Sequence, residues 1–146
     1  MTELAFHFGA ADPLAYTCRL LRKAVATGAR VLVRSDAATV SVLDSGLWEL
    51  GQTDFVAHCD LAASAHVRQN SPVLLAGDQP VAVVDGYNVL VNLAPDVPDN
   101  IDAFERVIEI VGNQESDRQA ARARWKHYVA KGMAIQQHNL TERASG

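Results

Sequence analysis

Four side chains in the last third of the chain, Arg118, Arg122, Trp125 and Lys126, stand out by type and spacing. With Val129 they follow one another at +4, +3, +1 and +3, and a helix of 3.6 residues per turn gathers such positions on one side. Two guanidiniums, an indole and an ammonium in a row can hold an anion and an aromatic ring together. Nucleic acid is one such ligand, with cations on phosphate and the indole stacked on a base. An acidic peptide ending in an aromatic residue is another: cations take its carboxylates, the terminal one included, and an apolar notch takes its ring. The plainer alternative is a solvated basic face with Trp125 tucked into the core. Like charges four residues apart disfavour an isolated helix, so helix stability does not explain Arg118 and Arg122, and an acidic partner would relieve them.

The basic segment is an exception in this chain. Five cations (Arg118, Arg122, Arg124, Lys126 and Lys131) lie between 118 and 131 without an acid, whereas the whole chain carries a formal net charge of −4. That balance argues against wholesale electrostatic binding to nucleic acid. At 146 residues, 49% hydrophobic and 21% charged, the chain suits one domain around one core.

Other chemistry finds little support. The first strand-to-helix junction reads FHFGAADPLA, with one glycine where a dinucleotide fingerprint needs three, and Asp12 sits where an anion would dock. No glycine-rich loop ends in Lys-Ser or Lys-Thr, and no GxSxG elbow occurs. His7, His58, His66, His127 and His138 show no metal-ligand spacing. His7 reads as a structural histidine; His58, placed at the end of a strand before Asp60, could be catalytic by position but has no paired nucleophile. Asp36, Asp44 and Asp85 read as caps and turns. Cys18 and Cys59 lack redox or metal spacing and are expected as reduced thiols. No catalytic residue, metal or cofactor is expected. With no leader-like N-terminus and no apolar run near the ~20 residues of a membrane span, the protein is expected in the cytoplasm.

The elements that would position the basic stripe follow from periodicity. A strand is predicted at 4–8, then a helix from Asp12-Pro13 to Gly28 with Leu14, Cys18, Leu21 and Val25 inward. Strand 31–33 follows, then a helix capped by Ser35-Asp36 that ends near Trp48. Further strands are predicted at 55–58, 73–75 and 89–93, the last being the final one, with 81–84 a strand or hairpin arm before the Asp85-Gly86 turn. A helix is predicted over 101–111 with its cap at Asn100, and a last helix from Ser116 to about 132. Strands alternating with helices indicate an α/β domain with a mostly parallel sheet. It spans 1–132, and a polar, frayed tail occupies 133–146.

A second candidate contact is Trp48 with Phe55, two large aromatics bracketing the turn ELGQTD; they are either core or an interface anchor. The stretch LWELGQTDFVAHCDL (47–61), the strand pair PVLLAG and NVLVNLAP (72–77 and 88–95), and ARARWKHYVAKG (121–132) together resemble the chi subunit of bacterial DNA polymerase III. The resemblance implies a single Rossmann-like domain without catalysis of its own. It implies a partner, the psi subunit, that tethers the chain to the clamp loader at a surface matching Trp48 and Phe55, and a helicase can use that surface in some relatives. It also implies that Arg118, Arg122, Trp125 and Lys126 bind the acidic, aromatic-ended tail of single-stranded DNA-binding protein, so that DNA is engaged only indirectly. The alternative from another class is a direct binder of single-stranded nucleic acid using the same helix; a nucleotide-dependent enzyme is a third.

Overall fold

A computed structural model describes residues 2–48, 58–60, 71–76, 86–98 and 101–140, with the side chains of Ala37, Trp48 and Asp60 excepted. Strand β1 (Glu3–Ala10) leads into helix α1 (Pro13–Ala26), β2 (Val31–Arg34), α2 (Ala37–Trp48), β3 (His58–Asp60), β4 (Val73–Ala76) and β5 (Val89–Asn92). A 3-10 turn (Ile101–Ala103) precedes β6 (Arg106–Gly112), α3 (Glu115–Ala130) and β7 (Ile135–Asn139). The strands form one sheet in the order β3-β4-β2-β5-β6-β1-β7, and every pair is parallel.

Local chemistry explains most of these elements. Asp12 accepts a hydrogen bond from the Ala15 N–H at 3.1 Å and Pro13 takes the first turn of α1, which satisfies a backbone donor the helix cannot. Asp36 does the same for α2 through the Thr39 N–H at 2.7 Å. Alternation along the strands then splits the core between two faces. Val31, Val33, Val73, Leu75, Val89, Val91, Ile108 and Ile110 meet Cys18 and Leu21 of α1 and Leu43 and Leu47 of α2. Leu4, Phe6, Leu32, Leu74, Leu90, Val107 and Val111 meet Ala121 and Tyr128 of α3.

Several predicted elements are corrected. The helix expected over 101–111 is a single 3-10 turn followed by β6, a strand between β5 and β1. From Val107 to Gly112 every residue of β6 is buried, and a strand covered on both faces loses the period-2 signal that separates it from a buried helix. Val89–Asn92 is therefore not the last strand. Gly112, read as a helix end, closes β6 where the starts of α1 and α3 converge: a Cβ there would stand 2.5 Å from Asp117 Oδ2 and 3.1 Å from Pro13 Cγ. Helix α3 takes Gln114, not Ser116, as its N-cap, with no side-chain capping bond. Part of the expected tail, 135–139, pairs with β1 along its full length. His58 does not end its strand, which runs on to Asp60, and Asp44 lies inside α2, not at a cap. The segments 55–57, 62–70 and 81–84, with Asp85 and Asn100, lie outside the described residues.

Replacing the α1 cap, Asp12→Ala, should lower stability by ~0.5–2 kcal/mol, measured as a shift of the urea midpoint with an unchanged slope.

Candidate functional site

Helix α3 owes its orientation to a carboxylate on the sheet. Glu109 points from β6 toward α3, on the same face as Val107 and Val111, and is fully buried. Its Oε1 accepts from Arg124 Nε at 3.0 Å and from Asn92 Nδ2 at 2.8 Å, and its Oε2 accepts from the Tyr128 hydroxyl at 2.6 Å. Arg124 Nη1 also donates to the Pro95 carbonyl at 3.0 Å. Arg34 of β2 donates to Asn92 Oδ1 at 3.0 Å and to Asp96 Oδ2 at 2.9 Å. Four elements, β2, β5, β6 and α3, are thereby joined through polar side chains.

The electrostatics of this brace follow from burial. Desolvation pushes the Glu109 carboxyl above its ordinary value, opposed by the Arg124 charge and by the three donors. Burial, and then the neighbouring Glu109, push the Tyr128 hydroxyl upward. At the solvent end, the hydrogen bond from Arg34 holds Asp96 below the usual carboxylate range, against a smaller opposing push from burial.

With Ala121, Arg124 and Tyr128 facing inward, Arg118, Arg122 and Trp125 fall on the adjoining shoulder of the helix. They meet Phe6 and Phe8 of β1, Val111 of β6 and Gln137 of β7 around a notch of about 200 Å³. Trp125 is half-buried: its ring and that of Phe6 form a T-shaped pair at 5.2 Å between centroids, and Phe6 forms another with Tyr128 at 6.0 Å. Both arginines are exposed. Arg118 Nη2 donates to the Asn113 carbonyl at 3.2 Å, and Arg122 stands 3.8 Å from Glu115. The arrangement offers an apolar floor with a guanidinium pair at its rim.

Lys126 is exposed and does not line the notch; one residue past Trp125, it is turned by about 100°. Arg124 leaves the basic surface, since its charge is taken up by Glu109 inside. The signal for that brace was present in the sequence: a lone acid in the apolar run RVIEIVG, with Arg124 and Tyr128 four residues apart. Trp48 ends α2, but its side chain and Phe55 lie outside the described residues.

The remaining candidates have structural partners. His58 Nε2 meets Asp44 Oδ1 at 2.8 Å. His7 Nδ1 meets the Tyr16 hydroxyl, and its ring lies 4.5 Å from that of His138. Cys18 and Cys59 are free thiols, and burial pushes the Cys18 thiol up. At the carboxyl ends of the strands, where open α/β sheets bind ligands, a cavity of about 390 Å³ is faced by Asp36, Thr39, Gly112, Asp117 and Arg124. Among the described residues no group of three or more His, Cys, Asp or Glu could hold a metal ion, and no described helix is long and apolar enough to cross a membrane.

Residues 1–136 match the family described as DNA polymerase III chi subunit, HolC. The chain belongs to that family. It is also 32% identical, over 145 residues, to the DNA polymerase III subunit chi of Pseudomonas aeruginosa, covering 96% of this chain and 98% of that one. In fold it is similar to the C-terminal domain of the DEAD-box protein Dbp5, with a TM-score of 0.65 at 13% identity over 97% of this chain and 91% of that one. A variant of the same domain from S. cerevisiae, bound to Gle1 and IP6, gives 0.62 at 10% identity over 95% and 90%. At such identities the likeness extends to architecture alone. The parallel sheet of this chain carries the notch on its β1–β7 side rather than in the crevice at the strand ends.

Two outcomes test the brace. Arg124→Met leaves the Glu109 carboxylate buried without its countercharge and should cost about 3–5 kcal/mol in denaturant unfolding. For Asp96, whose folded-state pKa is lowered, the unfolded chain takes up the proton first on acidification. The stability it contributes is complete above the ordinary carboxylate pKa of about 4 and is lost as pH falls through the lowered value. Asp96→Asn should therefore flatten the fall in melting temperature measured below about pH 4.

Proposed function

We propose that this chi-family chain is a non-catalytic bridge within the DNA polymerase III holoenzyme. One surface holds the C-terminal tail of single-stranded DNA-binding protein, and another, around Trp48 and Phe55, holds the psi subunit of the clamp loader or, alternatively, a helicase. The observation that carries the reading is the convergence of Arg118, Arg122 and Trp125 on one apolar notch. A chain end supplying a phenyl ring and a carboxylate a few ångströms apart matches such a site: the ring replaces water against Phe6, Phe8 and Trp125, and the guanidiniums take the carboxylates. Exposed arginines favour a ligand bound through charge-assisted bonds at the rim, which salt weakens.

Lys126, turned from the notch, would contribute to this function only as a longer-range attraction for acids upstream of the terminus. Each contact of this kind is weak, and multivalency along a protein-coated strand bearing many tails would raise the effective concentration. Direct binding of single strands through Trp125 is less favoured, because the indole is half-buried and already packed on Phe6, which leaves less of it open to a base.

Arg122→Ala should weaken binding of an aspartate-rich peptide ending in phenylalanine by ~1–3 kcal/mol, read by fluorescence anisotropy at low salt. Unchanged affinity would remove the notch as the receptor. A parallel titration with naked oligonucleotide should show no comparable binding; tight binding there would favour the nucleic-acid reading.

A further inference from the structure

Strand β7 closes one side of the sheet, and among the described residues no strand pairs with its other side. Every second residue of such a strand directs its N–H and C=O outward. Natural edges usually carry a lysine, a proline, a bulge or extreme shortness that keeps other chains from pairing. The sequence of β7, IQQHN, holds neither charge nor proline, and it pairs with β1 residue for residue over its whole length without a shift. Among the described residues, no strand and none of these devices guards that edge.

That edge is continuous with the notch. Gln137 is a strand residue of β7 and also a wall of the cavity shared with Arg118, Arg122 and Trp125. Alternation puts Ile135 and Asn139 on the same side as Gln137, whereas His138 faces the opposite side, against His7. A chain whose end sits in the notch and which leaves across Gln137 comes to lie about 4.8 Å outside β7, the spacing of neighbouring strands. No acidic residue of β7 repels an acidic segment there, and the exposed Arg118 and Arg122 lie on the same face of the sheet as Gln137.

We propose that the outer edge of β7 takes the extended acidic segment preceding the aromatic terminus as an eighth parallel or antiparallel strand. This rests on the reading of the notch as a receptor for an acidic chain end. Backbone bonds to β7 then supply affinity that does not depend on side-chain identity, while the notch selects the terminus.

The full chain is titrated with a synthetic aspartate-rich nonapeptide ending in phenylalanine, and with copies carrying a single N-methyl group on successive backbone amides. Affinity should fall roughly tenfold for methylation at every second position and little at those between. Amide exchange within 135–138 should slow on peptide binding. Methylation without a period-2 pattern, with Arg122→Ala still abolishing binding, would overturn the added strand and leave the receptor standing. Insensitivity to both methylation and Arg122→Ala would overturn the receptor reading and this inference with it. A peptide-free dimer that itself protects the 135–138 amides would assign the edge to a second copy and overturn the proposal.

Discussion

Taking a carboxylate and a guanidinium out of water costs several kcal/mol per ion, and their attraction offsets this only where the remaining donors and acceptors are also matched. Glu109 and Arg124 meet that condition. The carboxylate receives three donors, and the guanidinium reaches a second acceptor, the Pro95 carbonyl. Helix α3 buries only two apolar side chains beside Arg124, those of Ala121 and Tyr128. Apolar contact is non-directional, so two such groups would tolerate a range of helix rotations. Directed bonds from Arg124 and Tyr128 to one carboxylate fixed on β6 remove that freedom.

Fixing the rotation of α3 decides what its shoulder presents. Arg118, Arg122 and Trp125 adjoin the inward face and so can meet the sheet while keeping their cations wet. A stripe opposite the inward face would have met only water, which is the position Lys126 approaches. The aromatic chain from Tyr128 through Phe6 to Trp125 extends the same positioning into the floor of the notch. The buried brace and the exposed notch are in this sense two sides of one helix placement.

The elements β1, α1, β2, α2, β4 and β5 were legible because each has a clear period or a cap: Asp12-Pro13 starts α1, Asp36 starts α2, and short apolar runs form β2, β4 and β5, whereas β3 (HCD) shares only His58 with the strand expected at 55–58. β6 was not legible, because Val107, Ile108, Ile110 and Val111 also fit a helical stripe, and only their β-branched character pointed the other way. β7 was missed for the opposite reason. It is a polar edge strand whose stability comes from pairing with β1, a long-range contact that local composition does not encode. Three of the four stripe residues converge as their spacing implied, but spacing could not separate Lys126 from them, nor show that Arg124 is spent inside the protein on Glu109.

The location of the notch also follows from how the chain handles its helix starts. In an open parallel sheet the strand ends and helix N-termini make the ordinary anion site. Here Asp12 and Asp36 take backbone donors at the starts of α1 and α2, and Asp117 stands beside Gly112, where α1 and α3 come together. Those carboxylates put negative charge where a phosphate would have to sit. The exposed cations instead lie on the shoulder of α3, beside an edge strand without Lys, Arg, Asp or Glu. On the proposed reading, anion recognition would move from the end of the sheet to its side, where an elongated chain, unlike a compact nucleotide, could lie along the strand direction and meet backbone and cation together.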